Sequence, residues 1–150
     1  MQIREDDLRG PEIAELLEGH LAFMVHSPPE SMHALGLDAL RAPEITFWTT
    51  WEGTDLLGCG ALKKLDPEHG EIKSMHTVHV HRGKGVAAFI VGFIIEEARK
   101  RSYRKLSLET GSMDAFAPAR ALYLRSGFQF CEPFGSYSVD PASVFMTLKL

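Results

Sequence analysis

Apolar residues recur every three or four positions early in the chain, the spacing that places them on one face of an α-helix. We predict a helix from Glu12 to about His26, following a short strand over Met1–Arg4. Its inner positions are Ile13, Leu16, Leu17, His20, Leu21 and Met24. Ser27-Pro28-Pro29 should end it, because a residue before proline is pushed out of the helical region. A second, short helix is predicted from Ser31 to about Leu40.

The pattern then changes to that of extended chain, rich in β-branched and aromatic residues. Strands are predicted over Ile45–Trp51, Leu56–Leu65 and Glu71–Val80. The turn-forming runs Glu52–Asp55 and Asp66–Gly70 separate them. Such short connections favour an antiparallel meander.

A long amphipathic helix from Gly83 to about Arg101 follows the meander. Its apolar face comprises Val86, Phe89, Ile90, Phe93, Ile94 and Ala98, and Gly92 within it indicates close packing. The remaining predicted elements are a strand over Lys105–Thr110, a helix over Ala115–Ser126, and strands over Phe128–Phe130 and Val144–Leu150. This order predicts an α/β (α+β) fold, a single domain over residues 1–150 with a mixed, mostly antiparallel central sheet flanked by helices.

Composition and charge exclude several classes of protein. The 150 residues are 45% hydrophobic and 24% charged, which suits a globular domain with a real core. The net charge of −4 and the lack of a dense basic run argue against a nucleic-acid partner. The longest apolar run, Val86 to Ile95, has ten residues, too few to span a membrane. Cys59 and Cys131 share no motif spacing, so we expect a reduced, cytoplasmic protein.

The strongest candidate for a binding site is the run Arg82-Gly83-Lys84-Gly85-Val86-Ala87-Ala88, where a strand gives way to the long helix. Glycines allow the backbone to approach a ligand closely, and the first amides of a helix attract phosphate. Arg82 and Lys84 add positive charge. A plain turn with solvated basic residues is the alternative without a ligand.

A second class of phosphate-binding protein also fits this run. Gly83-x-Gly85-x-x-Ala88 matches the dinucleotide fingerprint, and Glu109 lies at a suitable distance to hold a ribose. However, the run follows a meander, and too little chain remains for a doubly wound sheet. A Walker loop is excluded because its Gly-x4-Gly-Lys-Ser/Thr pattern does not occur.

Two motifs in order make the chain resemble the GNAT superfamily of N-acetyltransferases, in particular its small bacterial members. Arg82-x-x-Gly85-x-Ala87 resembles the superfamily's pyrophosphate-binding signature. Ala119-x-x-Leu122-Tyr123-x-x-x-Gly127-Phe128 resembles its later signature, and one helix and one strand separate the two as in that superfamily. The resemblance implies an acyltransferase that uses acetyl-CoA as cosubstrate.

The resemblance also implies which residues bind the cosubstrate. Arg82 would start the pyrophosphate loop, and the backbone amides from Gly83 through Lys84, Gly85, Val86 and Ala87 to Ala88 would hold the phosphates. Met75, His76 and Thr77 would pair through their backbone with the pantetheine arm and bind the thioester carbonyl. Two residues depart from the superfamily pattern: Phe116 replaces an asparagine, and His79 replaces a proline.

Two catalytic roles follow from the same resemblance. Glu71 would be the general base, because a protonated amine must lose a proton before it attacks. Tyr123 would protonate the departing thiolate, and a phenol with a pKa of about 10 suits that task. The alternatives are that Glu71 is a solvated edge residue and that Tyr123 only packs. His76 is a second candidate base.

The remaining expectations concern metals and partners. His76, His79 and His81 are predicted to alternate along one strand, and with no further ligand at suitable spacing we expect no metal site. The acceptor would be an amine of a small molecule or a protein. Glu71, Glu109 and Asp114 favour a cationic one. A non-catalytic acyl-CoA-binding module and a dinucleotide-binding oxidoreductase are alternatives, and the oligomeric state is open between a monomer and a homodimer.

Overall fold

The computed structural model describes residues 1–23 and 36–150, and there seven strands form one sheet. They are β1 (Gln2–Glu5), β2 (Ile45–Glu52), β3 (Asp55–Asp66), β4 (His69–Thr77), β5 (Lys105–Gly111), β6 (Gln129–Cys131) and β7 (Ser143–Lys149). Their order in the sheet is β1-β2-β3-β4-β5-β7-β6. Every neighbouring pair is antiparallel except β4 and β5, which are parallel. The predicted meander and the mostly antiparallel sheet are therefore confirmed.

Four helices flank this sheet in the described part of the chain: α1 (Pro11–Phe23), α2 (Leu37–Leu40), α3 (Val86–Lys100) and α4 (Ala117–Arg125). Short 3-10 turns occur at His79–His81 and Asp114–Phe116. The predicted end of the first helix, the break at Ser27-Pro28-Pro29 and the predicted start of the second helix lie outside the described residues. No helix in residues 1–23 and 36–150 is long and apolar enough to cross a membrane.

The prediction that the third strand of the meander runs to Val80 is wrong. β4 ends at Thr77, and the chain turns through His79–His81. Val78 still donates its N–H to Leu57 O at 2.9 Å, but His81 N–H bonds back to Val78 O at 2.9 Å. The three histidines therefore do not alternate along one strand.

The predicted start of the long helix at Gly83 is also wrong, because α3 begins at Val86. Gly83 and Gly85 have φ of +78° and +82°. These values belong to the left-handed region, which a right-handed helix does not contain. The two glycines form the turn before the helix.

Apolar side chains fill both faces of the sheet. On one face α3 and α4 cover a core that includes Leu62, Ile90, Ile94, Leu106, Leu108 and Met146. On the other, α1 and α2 cover Phe47, Trp51, Cys59 and Ala61. Trp48 and Trp51 are 4% and 7% exposed, in agreement with a packing role. The cleft described below opens between these two layers.

Two glycines should respond in opposite directions to alanine. A Cβ on Gly60 in β3 would lie 2.8 Å from Ile90 Cγ2, whereas one on Gly92 in α3 would meet nothing within 4 Å. The expectation that Gly92 marks close packing is therefore wrong. We expect Gly92→Ala to stabilise the fold by about 0.5–1 kcal/mol and Gly60→Ala to destabilise it by about 1–3 kcal/mol. Urea denaturation midpoints measure both changes, and equal shifts in the two variants would contradict this packing.

Candidate active site

A cleft of about 500 Å³ opens where β4 and β5 separate. The two strands pair only from His69 with Lys105 to Ile72 with Leu108. Beyond this point β4 carries a bulge against β3, since Ala61 pairs with Lys73 but Cys59 pairs with His76. Ser74 in the bulge has a φ of +55°, which is uncommon for a residue other than glycine. The bulge re-aims the end of β4 and leaves room between the strands.

The residues that line this cleft come from six parts of the chain. They are His20 of α1; Glu71 to Thr77 of β4; His81, Arg82, Gly83 and Gly85 of the turn; Val86, Ala87 and Ala88 of α3; Leu108 to Gly111 of β5; and Ala115, Phe116, Pro118, Ala119, Leu122, Tyr123 and Arg125 in and before α4. The structure thus brings together Glu71, Tyr123 and nearly all of the predicted binding residues. Lys84 is the exception: it is exposed and its Nζ lies 3.1 Å from His81 Nδ1.

The N-terminus of α3 is built to receive an anion. Gly85 is its N-cap, and the cap has no side-chain hydrogen bond. The first bond of the helix runs from Phe89 N–H to Gly85 O at 3.0 Å. The N–H groups of Val86, Ala87 and Ala88 precede any intrahelical partner and lie at the cleft, where the helix dipole favours negative charge.

Glu71 is buried in the centre of the sheet and is not an edge residue. It is 2% exposed. Its Oε2 accepts hydrogen bonds from Lys73 Nζ at 3.2 Å and from Tyr137 OH at 2.6 Å. Lys73 Nζ also lies 2.8 Å from Tyr137 OH. Burial and the neighbouring Glu71 raise the pKa of the Tyr137 hydroxyl, which therefore stays protonated and donates to the carboxylate. The three side chains form one polar network under the cleft.

Sequence reasoning missed both partners of Glu71. Lys73 is two residues along the same strand, so the alternation of strand side chains places it on the same face and could have indicated the pair. Tyr137 follows β6 and carries no local signal of this contact. It lies in an aromatic group with Phe134 and Phe145, with ring centroids 5.2 Å and 5.4 Å from its own.

Tyr123 combines packing with access to the cleft. It is 6% exposed, and its ring meets Phe128 edge to face at 5.8 Å between centroids. Burial raises the pKa of its hydroxyl above the usual value, and the charge of Glu109 raises it further. Tyr123 is therefore a neutral donor at physiological pH.

A pair of histidines crosses from α1 to β4 at the cleft. His20 Nδ1 lies 3.3 Å from His76 Nδ1. Burial lowers the pKa of His20 to about 4. Burial, followed by the charges of His20 and Arg82, lowers the pKa of His76 to about 4. Both rings are neutral at pH 7. The helical pattern placed His20 on the inner face of α1, but nothing in the sequence pointed to His76 as its partner.

Phe116, which departs from the superfamily pattern, is buried against the end of β5. A Cβ on Gly111 would lie 2.2 Å from Phe116 Cδ2, so only glycine leaves room for the ring. Arg120 Nη1 donates to Gly111 O at 2.7 Å and to Met113 O at 2.8 Å. The ring and the guanidinium hold the turn that closes the α4 side of the cleft.

Comparison with known proteins agrees with this architecture. The model of the acetyltransferase (GNAT) family matches residues 13–128. The uncharacterized N-acetyltransferase YsnE of Bacillus subtilis is 61% identical over the whole of both chains. The N-acetyltransferase YedL of Escherichia coli, also uncharacterized, is 47% identical over 99% of this chain and 94% of its own.

Solved structures share the fold. A putative acyl-CoA N-acyltransferase from Klebsiella pneumoniae superposes with a TM-score of 0.81 at 26% identity, covering 99% of this chain and 97% of the other. A GNAT acetyltransferase from Elizabethkingia anophelis, solved with acetyl-CoA bound, gives 0.73 at 18% identity with the same coverage. The described strands include only one parallel pair, β4 with β5, which excludes the doubly wound parallel sheet of the dinucleotide alternative. The chain belongs to the GNAT family and is an N-acetyltransferase.

Proposed function

We propose that this enzyme transfers the acetyl group of acetyl-CoA to a primary amine, carried by a small molecule or a protein, inside the cleft between β4 and β5. One observation carries the proposal: the cleft runs from the buried Glu71 network to the N-terminus of α3, where no side chain caps the first amides. Its two ends offer a place for an amine and a place for phosphate. The structural neighbour with acetyl-CoA bound supports this choice of acetyl donor.

The residues present fit acetyl-CoA. The amides of Val86 to Ala88 suit a pyrophosphate, and Arg82 adds positive charge at the same turn. Past Ile72 the edge of β4 has parted from β5, so the backbone of Met75 to Thr77 can pair with the amides of the pantetheine arm as a further strand would. Bound there, acetyl-CoA would supply an activated acetyl group.

Two side chains would move protons in this proposal. Tyr123, kept protonated by its surroundings, would donate to the thiolate that leaves. Glu71 would accept the proton that an ammonium must lose before it attacks, directly or through water. Its charge is already paired with Lys73, which weakens the case for a cationic acceptor.

Glu71→Gln should lower kcat/KM about 10²-fold near pH 7, the lower end of the usual contribution of a general base. The loss should shrink at high pH, where more of the amine is already deprotonated. Profiles of kcat/KM against pH measure this. Lys73→Gln is the matched control because it breaks the same buried ion pair and keeps the carboxylate. Equal rate losses in the two folded variants would assign Glu71 a structural role only.

A thiol-release assay with acetyl-CoA and a panel of amines tests the proposed function. The panel should hold amino acids, polyamines, arylalkylamines, aminoglycosides and peptides with a free N-terminus. Thermal shift with acetyl-CoA and with NAD tests the donor separately. Stabilisation by acetyl-CoA without thiol release for any amine would favour the non-catalytic module. The cytoplasm is the proposed location, because both cysteines carry free thiols, which suits a reducing compartment.

A further inference from the structure

The geometry of the His20–His76 pair requires one ring to donate a hydrogen bond and the other to accept it. Two neutral imidazoles that approach Nδ1 to Nδ1 at 3.3 Å form a hydrogen bond only if one carries the proton there and the other does not. Each neutral ring holds one proton. The ring that donates through Nδ1 therefore has a bare Nε2, which is a base.

His76 is better placed than His20 to use that base. His76 is half-buried on β4 in the segment proposed to hold the thioester, whereas His20 is 8% exposed on α1. The bulge puts His76 on the same face of β4 as Glu71 and Lys73, since their β3 partners are Cys59, Lys63 and Ala61 at alternate positions. Nδ1 of His76 is held by His20, which leaves Nε2 for a substrate.

We propose that His76, oriented by a hydrogen bond from its Nδ1–H to His20 Nδ1, is a second proton acceptor in the acetyl transfer. It would take through Nε2 the proton that the acceptor nitrogen loses after bonding to the acetyl carbon. His20 is then a positioning residue. This inference rests on the proposed function.

An amine that arrives as an ammonium ion loses two protons, and in this proposal each proton has its own acceptor. The first proton leaves before attack and goes to Glu71. The C–N bond then forms with the nitrogen lone pair and the nitrogen becomes positive. Its second proton goes to His76, while the C–S bond breaks and its electron pair leaves on sulfur. Tyr123 protonates that sulfur and recovers a proton from the site. One proton is released overall.

The surroundings of His76 suit this second step. Burial first, and then the charges of His20 and Arg82, lower the pKa of His76, so the ring is unprotonated throughout the physiological range. On β3, burial raises the pKa of the Cys59 thiol to about 12, so it is neutral. Negative charge that develops on the carbonyl oxygen during attack would favour imidazolium formation at that moment.

Variants at position 20 distinguish a positioning role from a packing role. The side-chain oxygen of asparagine can occupy about the place of Nδ1 and accept the same hydrogen bond. His20→Asn should therefore keep the single-turnover rate within about threefold of wild type, whereas His20→Leu should lower it at least about tenfold. His76→Gln should lower it about 10²-fold. The rates are measured with saturating acetyl-CoA and the fastest amine of the panel.

His20→Asp provides a readout that packing alone would not move. A carboxylate beside His76 favours the imidazolium and raises its pKa. A base must be unprotonated, so the acid limb of the pH profile should move to higher pH in His20→Asp and stay in place in His20→Asn. If the acid limb of His20→Asp stayed in place, the inference would be overturned. A folded His76→Gln protein with the wild-type rate would overturn it as well. Either result would leave the proposed acetyl transfer intact.

Nitrogen-15 NMR of the histidine rings tests the tautomer with coenzyme A alone as the probe, so it needs no acceptor. We expect His76 to be protonated at Nδ1 and bare at Nε2. The opposite tautomer would overturn the inference. Absence of coenzyme A binding together with absence of thiol release would instead overturn the proposed function.

Discussion

Tyr123→Phe should slow the chemical step about 10²–10⁴-fold, the usual contribution of a general acid, if chemistry limits turnover. The substitution keeps the ring that packs on Phe128 and removes only the hydroxyl. Stability and acetyl-CoA affinity should therefore change little. The raised pKa of Tyr123 also means that its deprotonation should not limit the rate below about pH 10.

Single-turnover rates of the two proteins measure this effect. Tyr103→Phe is the matched control, because Tyr103 is buried in the same core cluster but is not among the described residues that line the cleft. Tyr103→Phe should keep nearly the wild-type single-turnover rate. An undiminished chemical step in folded Tyr123→Phe would leave Tyr123 as a packing residue.

Gly85→Asp should weaken acetyl-CoA binding about 10²–10³-fold. A unit charge about 4 Å from a phosphate costs about 4 kcal/mol at an effective dielectric constant of 20, and solvent at this exposed turn reduces that figure. The φ of +82° adds strain for any residue with a Cβ. The charge and the strain both act where α3 presents its amides.

Calorimetry on matched variants separates these causes. Gly85→Asn has nearly the same shape without the charge, so its difference from Gly85→Asp reports the charge. Gly53→Asp places the same residue at another exposed positive-φ glycine, in the β2–β3 turn away from the cleft, and should bind normally. If folded Gly85→Asp retained wild-type affinity, the pyrophosphate would bind elsewhere.

The elements that were predicted well depend on short-range patterns. The meander follows from strand composition and turns of a few residues, and the existence of α3 follows from the helical spacing of its apolar residues. Its start was placed at Gly83 and not at Val86, because the two glycines were counted into the helix and not into the turn before it. Among the described strands, β4 and β5 form the one parallel pair, and this pairing depends on the α3 crossover. The order of strands and helices was enough to predict a mixed sheet, but not which of its strands run parallel.

Apart from the misplaced ends of β4 and α3, the errors and omissions concern how parts of the chain pack in three dimensions. Gly92 was assigned to close packing because a glycine in a helix has no other local explanation, yet its neighbourhood is open. His20 and His76 are 56 residues apart, and Glu71 and Tyr137 are 66 apart. Pairing over such distances is decided by how α1 and the segment after β6 fold over the sheet. The hydrophobic periodicity within one helix or strand does not indicate such contacts.

The bulge at Ser74 makes the length of β4 as important as its composition. One residue between Lys73 and His76 is extra to the pairing with β3, so removing it would leave the two side chains two residues apart and still on the same face. The deletion would therefore keep His76 turned toward α1. It would remove the bulge and the positive φ at Ser74, and so straighten the backbone proposed to bind the thioester. Among related chains, a gap at this position would mark a change in how the cosubstrate binds, with the same histidine still facing α1.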